Sequence, residues 1–575
     1  MKINSLKNWH VAILFLVLGF LVYSTGINSP FQGDDLLQIT HSLPVHSITH
    51  IKLLFEGGTF DNTQTLSKLS GSYYRPLMLT VYALLYTLFG PHAFYFHLLQ
   101  LLIWIGSSYL LYLFFRFFFR PGLALFLSLI FLVHPLNSQT VFAIPSLQDV
   151  LFFFFGILSL WLLIRFKSTL SLVFVTLSLF LSLLSKETAI VFIIVSVIYL
   201  FWLERDRLLK YLLFIILPTA LWLALRINAV GFNSNPGNAP IDVLSIGQRL
   251  LTAPSIVVFY FYQLIWPSKL ASGYYWTYKS FGFVNVFLPI IIIAVLLGIA
   301  IWTGYRIKSQ ANITSLSAYL FFLTWIIVGL LPHIQIIPLD FTASDPWFCF
   351  SMVGVLGLLG VVIDTFLSRF KLRWVLIAFS VALICILGAR SSLWGLKWDS
   401  PYRLALDNIS ASPTDYIAYN DVGASLITKD KFTEAKPYIL HSINIYPSLN
   451  NYANLGVIDI ALSNCLGATS ALNKALEYSP NSLSTYIQLG DLGVECGNYS
   501  SNVDFLSKAL KKFPGNVNLL LDLALIEDKS GHNNIAKEII ANDLIGHIPT
   551  TIYEEIINNQ KFTVNFGQGS TSVQI

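Results

Sequence analysis

The chain has 575 residues, 55% of them hydrophobic and only 11% charged, with a mean hydropathy of +0.67. A soluble domain carries roughly 25% charged residues, so composition excludes an ordinary soluble protein and predicts a polytopic membrane one. The net charge of +5 is small and the basic residues cluster in short segments between apolar stretches; they report orientation, and nucleic acid is set aside as a partner.

Lys2 and Lys7 precede a first apolar run over 9–26, and no small-x-small cleavage site follows. This pattern predicts an uncleaved signal anchor. Just beyond it lies Phe31-Gln32-Gly33-Asp34-Asp35. A carboxylate pair where lipid meets water is costly unless it is solvated, paired or used. A solvated loop or a helix N-cap would also account for the pair. In Leu43–Phe55 a helix would put His46 and His50 on one face, where an amphipathic juxtamembrane role outweighs a metal-binding one.

About 20 apolar residues are needed to cross a membrane. The remaining stretches of that kind lie near 92–118, 121–140, 147–166, 169–185, 187–203, 209–228, 283–303, 316–331, 347–367 and 373–391, which makes about eleven. The positive-inside rule puts Arg116, Arg120, Arg165, Lys167, Arg205, Arg207, Lys210, Arg306, Lys308, Arg369, Lys371 and Arg373 on the cytoplasmic side, provided 76–89 and 251–266 do not cross. Segments 27–91, 134–148, 229–282 and 332–346 and everything after about 392 then share the outer face. Tyr274, Tyr275, Trp276 and Tyr278 fall there too, as an interfacial aromatic belt would.

After 391 the character changes. Residues 392–412 are expected to form a linker, 413–560 a repeat domain and 561–575 a frayed tail. Pro413, Pro447, Pro480 and Pro514 recur at about 34 residues, as do Tyr419, Tyr452 and Tyr486, and Gly423, Gly456, Gly490 and Ala524. That period, with a small residue after an aromatic, is the tetratricopeptide signature of stacked helix pairs. The first pair is expected at 420–428 and 432–445, and a degenerate last one at about 516–540. Cys465 and Cys496 lie here, and spacing leaves a disulfide between them open. Asn408-Ile409-Ser410 and Asn498-Tyr499-Ser500 match the N-glycosylation triplet, which also arises by chance. The fold class is therefore all-α: a membrane helical bundle followed by an α-solenoid.

The order of these features resembles a known family. The outer Asp34-Asp35 is followed by Tyr74-Arg75-Pro76-Leu77, then His134-Pro135, then Lys186-Glu187, then the repeats. The chain looks like the GT-C membrane glycosyltransferases, in particular the transmembrane-and-tetratricopeptide-repeat O-mannosyltransferases and their bacterial relatives. The resemblance implies an inverting transfer of a sugar such as mannose from a polyprenyl- or dolichyl-phosphate donor to a hydroxyl acceptor on a protein, at the extracytoplasmic face. It implies an integral protein of the bacterial inner membrane or the endoplasmic reticulum; no cofactor is expected, though some GT-C enzymes use a divalent metal, which His46 and His50 could ligate with Asp34 or Asp35. Asp34 would be the catalytic base, since a hydroxyl nucleophile needs one within hydrogen-bond reach, with Asp35 orienting it.

In such families an arginine follows an acidic residue in the last large outer loop; here the stretch is Asp345-Pro346-Trp347-Phe348, and proline holds the arginine position. The donor phosphate is then left to Arg75, Lys186, Lys269 and His333, with Arg249 as a further cation on that face, and substrate contacts to His134, Glu187, Asp345 and Trp347. Two other classes compete. One is a non-catalytic membrane-anchored scaffold for an envelope complex, which the missing arginine favours. The other is a transporter, against which the ionisable residues gather in loops rather than mid-span.

Overall fold

The computed structural model describes residues 8–60, 66, 68–232, 239–310, 313–367, 373–497, 499–544, 563–564 and 573–574. Lys2, Lys7, Arg369, Lys371, Asn498 and most of the expected tail lie outside them; Thr563–Val564 and Val573–Gln574 pair as two short antiparallel strands. The chain divides into two compact units, Met1–Ser412 and Pro413–Ile575.

The first unit contains sixteen α-helices among its described residues: α1 Asn8–Tyr23, α2 Ile51–Glu56, α3 Pro76–Phe89, α4 Ala93–Phe115, α5 Pro121–Val133, α6 Ser138–Phe142, α7 Leu147–Arg165, α8 Thr169–Ser185, α9 Ile190–Leu203, α10 Leu208–Val230, α11 Ile246–Ile265, α12 Leu288–Gln310, α13 Ile313–Leu330, α14 Cys349–Val362, α15 Arg373–Gly395 and α16 Pro401–Ala411. Eight helical segments are long and apolar enough to cross a membrane. A ninth crossing would be the bent pair Pro121–Val133 and Pro135–Phe142, and α8 and Glu187–Leu203 are apolar but shorter. Each of the eleven expected stretches thus coincides with helix, while α3 is short and α11 is not among the eight. Large apolar side chains on the outside, such as Leu217 and Ile301 at 75% and 74% exposure, form a surface suited to lipid, where only helices with satisfied backbones can stand.

Aromatic rings fill the interior. Trp104 stacks on Phe131, which stacks on Phe153, and Phe192 meets Phe350 edge-on beside Trp325. Polar tips inside find backbone partners: the Tyr23 hydroxyl donates to the Leu132 carbonyl at 2.7 Å, and Trp325 Nε1 to Phe350 at 2.8 Å. Pro76, Pro121 and Pro401 open their helices, where a missing N–H costs nothing.

Two expectations change here. Residues 392–412 are not a linker: α15 reaches Gly395, and α16 is tied into the unit by Asn408, whose side chain accepts from Ser272 N–H at 3.0 Å. Asn408 is buried, so its triplet offers no acceptor in the folded chain. Leu43–Phe55 is not one helix. Pro44 and the extended backbone at Ser47 break it into turns at Leu43–His46 and Ile48–His50 before α2. His46 stacks on Tyr86, with Nε2 3.0 Å from the Ile39 carbonyl.

The second unit is a run of helices: α17 Tyr416–Ile427, α18 Phe432–Ile445, α19 Leu449–Ala461, α20 Cys465–Tyr478, α21 Leu483–Cys496, α22 Tyr499–Lys512, α23 Val517–Lys529 and α24 Asn533–Ile539. They pack as consecutive antiparallel neighbours, and α19 also meets α17 and α21, as α21 meets α23. The side chains of Asp415, Ser482 and Asn516 accept from the third N–H beyond them, and Ser448 forms a capping box with Asn451. Because Asp415 caps α17, that helix starts four residues before the expected Asn420. Cys465 and Cys496 are joined by a disulfide, with Cα atoms 5.9 Å apart.

The periodic glycines have a steric cause. A Cβ on Gly423 would fall 2.4 Å from Ile439 Cδ1, and one on Gly456 2.4 Å from Leu472 Cδ2. Each lets its helix meet the next in a pair. Gly456→Val is therefore expected to cost about 1–3 kcal/mol by overpacking, read as a lower unfolding temperature of the purified chain, whereas Gly515→Ala, where nothing lies within 4 Å but φ is +71°, tests backbone strain alone.

Candidate active site

Asp34 stands on a turn that the sequence closes tightly. Gly33 takes φ +59°, Asp35 N–H donates to the Gln32 carbonyl at 3.2 Å, and Gln32 N–H donates back to Asp35 Oδ2 at 3.0 Å. Asp35 is buried by this and its Oδ1 lacks a partner, while Asp34 is exposed at the surface. Asp35 thus holds the turn that presents Asp34. Asp34 is nonetheless closely surrounded by protein. That burial raises its carboxyl above the usual carboxylate range, the Asp340 carboxylate raises it further, and the Arg75 guanidinium opposes both. Asp35 is pushed up more strongly, again by burial first.

Arg75 precedes Pro76, which disfavours the helical region for it, and takes φ −134° and ψ 54°. Its guanidinium lies 4.1 Å from the centre of the Tyr73 ring, a cation–π contact, and its Nε is 3.6 Å from Glu187 Oε2. Glu187 Oε1 also accepts from Tyr74 N–H at 2.6 Å. The Tyr73 hydroxyl donates to Asp340; burial and that carboxylate raise its pKa far above the ordinary phenol value, so it remains a donor. Asp34, Tyr73, Arg75, Glu187 and Asp340 therefore form one electrostatic cluster drawn from four segments distant in sequence.

Asp340 is held by a loop with its own closure. Gln335, at φ +64°, donates from Nε2 to the Phe341 and Thr342 carbonyls at 2.8 and 3.0 Å and accepts from Leu339 N–H at 3.1 Å. Arg249 clamps the same loop from outside, donating to the Gln335, Ile336 and Leu244 carbonyls at 3.0, 3.3 and 2.9 Å. Its guanidinium is thereby committed to structure. Arg249→Ala is expected to loosen residues 335–342, read as faster amide hydrogen exchange across that loop with the helices unchanged.

Beside the cluster lies a small recess lined by Asp149, Lys186, Thr188, His333 and Trp347 among others. Lys186 and Asp149 form a buried ion pair. His333 is stacked on Trp347 with centroids 5.0 Å apart. Lys186 and Glu187, adjacent in sequence, do not neutralise each other: each has a partner on a different segment.

The other expected residues lie elsewhere. Asp345 is buried and Oδ2 accepts from the Tyr274 hydroxyl at 3.3 Å, inside a network with Gln263 and the Lys269 carbonyl. Lys269 contributes that carbonyl, and its side chain is exposed. The rings at 274–276 pack against Phe259 and Phe341 rather than forming a surface belt. His134 has both ring nitrogens occupied, Nδ1 accepting from Leu136 N–H at 3.2 Å and Nε2 donating to the Leu264 carbonyl at 3.0 Å. It closes the turn between α5 and α6 and has no nitrogen left for a ligand. Among the described residues no group of three or more His, Cys, Asp or Glu side chains is placed to hold a metal ion.

Sequence reasoning missed Tyr73, Asp149 and Asp340. Asp149 had a signal, as a carboxylate inside an apolar span (Ile144–Arg165) that needs a buried partner. Tyr73 and Asp340 pair across 267 residues, which no local pattern encodes.

No protein-family model and no curated protein matches the chain. Among solved structures it is similar to ArnT from Cupriavidus metallidurans, in a crystal structure bound to undecaprenyl phosphate. Identity is 14% over 91% of this chain and 88% of that one, with a TM-score of 0.36. At so low a score the likeness carries no functional weight, and the residues of the site must.

Proposed function

We propose that this chain is a membrane glycosyltransferase of the GT-C kind, moving a sugar from a polyprenyl-phosphate donor to a hydroxyl on a protein. The observation that carries the reading is the exposed Asp34 carboxylate set beside Arg75 and Asp340. The acceptor oxygen attacks the anomeric carbon, the carbon–oxygen bond to phosphate breaks, and Asp34 takes the acceptor's proton. Phosphate is already an acidic leaving group, so one carboxylate suffices where hydrolysis between sugars uses two. A carboxylate with a raised pKa is a stronger base, and Arg75, whose charge acts on Asp34, is the cation offered to the departing phosphate. Mannose is the sugar the resemblance suggests. The disulfide Cys465–Cys496 favours an oxidising, extracytoplasmic side for the helix-pair unit, read here as a tetratricopeptide solenoid.

One observation favours the scaffold reading: Arg75 and Lys186 are both already paired with carboxylates. Reconstitution with polyprenyl-phosphate sugars separates the two. The transferase reading expects release of polyprenyl phosphate and a product of opposite anomeric configuration to the donor, from a single displacement. A purified, folded chain that consumes none of a panel of such donors in the presence of hydroxyl acceptors leaves the scaffold.

A further inference from the structure

Arg75 carries a charge that its neighbours hold loosely. Its side chain is buried, yet Nε has no hydrogen-bond partner among the described residues. Glu187 Oε2 stands 3.6 Å away, beyond hydrogen-bond range. The Tyr73 ring covers one face of the guanidinium, and its hydroxyl is engaged by Asp340. A buried donor left open costs free energy until an acceptor reaches it. Glu187 is kept from closing the gap: Tyr74 N–H holds Oε1 at 2.6 Å, and Lys186 just before it is anchored on Asp149. The carboxylate is thus fixed beside Arg75 without being hydrogen-bonded to that nitrogen.

The charges around this cation are out of balance. Asp34, Glu187 and Asp340 set three carboxyl groups around one guanidinium, and the Lys186 charge is spent on Asp149. An anion taken by Arg75 therefore also meets the Glu187 carboxylate. The reaction proposed above changes the charge of that anion. The donor is a phosphodiester with one negative charge. Breaking its bond to the sugar leaves a phosphomonoester, which carries about −1.5 to −2 at pH 7 because its second pKa is near 6. A fixed carboxylate repels the dianion twice as hard as the monoanion, since Coulomb energy is linear in charge.

We infer that Glu187 is a positioning residue for Arg75 that sorts the two phosphates by charge, admitting the diester donor and expelling the monoester product. It touches no reacting atom and acts only on what Arg75 can hold. When the monoester leaves, the same carboxylate is again the nearest anion to the guanidinium. Product release limits turnover in many enzymes, and a monoester that stayed on Arg75 would block the next donor. The inference rests on the proposed function for its two ligands and deepens it; the proton transfer at Asp34 does not enter it.

The test is calorimetric titration of the full chain in lipid nanodiscs with a short prenyl phosphate and with its methyl diester, no sugar being present. Glu187→Gln keeps the acceptor for Tyr74 N–H and removes the charge. It should bind the diester about threefold tighter than wild type and the monoester about tenfold tighter, roughly the square of the first factor, as doubling the ligand charge implies. Lowering the pH from about 8 to about 5 takes the monoester through its second pKa, and its gain should shrink to that of the diester. Asp34, Tyr73, Asp340 and Lys186 face the same site, and the diester measured at each pH cancels their titration. On the wild-type chain alone the monoester-to-diester affinity ratio should rise as pH falls, which keeps the test valid if the variant misfolds. Equal factors for the two ligands, a wild-type ratio that pH leaves unchanged, or no saturable binding of either overturns the inference. The expected pattern in a chain that transfers no sugar would instead sink the transferase reading and leave the role of Glu187 at Arg75 standing.

Discussion

Asp34→Asn is expected to lower sugar transfer by about two to four orders of magnitude, the usual contribution of a positioned general base, with donor binding and the unfolding temperature little changed. Asn keeps the size of the side chain and removes only its capacity to take a proton. Asp35→Asn tests a different part: it leaves the base in place and alters the acceptor that closes the Gln32–Asp35 turn, so its effect should appear as instability of that turn.

The pH dependence has a definite sign. The base works as the anion, so activity falls as pH drops through the Asp34 pKa, which burial holds above the ordinary value of about 3.9. Asp340→Asn removes a charge that raises that pKa and moves the acid limb to lower pH; Arg75→Gln removes one that lowers it and moves the limb to higher pH. A pH–rate profile of the three proteins checks all of this. Opposite displacements would place the base elsewhere.

The second large effect concerns folding. Lys186 and Asp149 have side chains only 8% and 5% exposed. Removing one partner strands the other charge in a nonaqueous interior, which costs about 3–5 kcal/mol. Lys186→Met alone should therefore express poorly or unfold early. Lys186→Met combined with Asp149→Leu removes both charges and should recover most of that loss, because a buried ion pair and an apolar pair of similar volume are often close in stability. The pair of thermal melts distinguishes a structural ion pair from a phosphate contact: if the double variant is stable yet transfers no sugar, Lys186 also serves the donor.

How much was legible in the sequence follows from how local each feature is. An apolar run of about 20 residues needs no partner to be recognised, and each of the eleven expected stretches is helical. The repeats were visible because Gly423, Gly456 and Gly490 must stay small where a neighbouring side chain closes in. Asp34 stood out by scarcity and position. Leu43–Phe55 misled because helical spacing of His46 and His50 was weighed without Pro44, which starts a separate turn. Residues 392–412 read as a linker because their polarity hides a tie, Asn408 to Ser272, across 136 residues. The roles of Tyr73, Asp340 and Arg249 exist only through contacts between segments brought together by the bundle, and no spacing rule reaches them.

The most direct measurement is a density map of the chain in a nanodisc with a non-transferable polyprenyl-phosphate sugar analogue. The account predicts the sugar within hydrogen-bond reach of the Asp34 carboxylate and the phosphate against Arg75, with the prenyl chain leaving between apolar helices. A head group bound elsewhere in the bundle, with Asp34 facing only water, would contradict it.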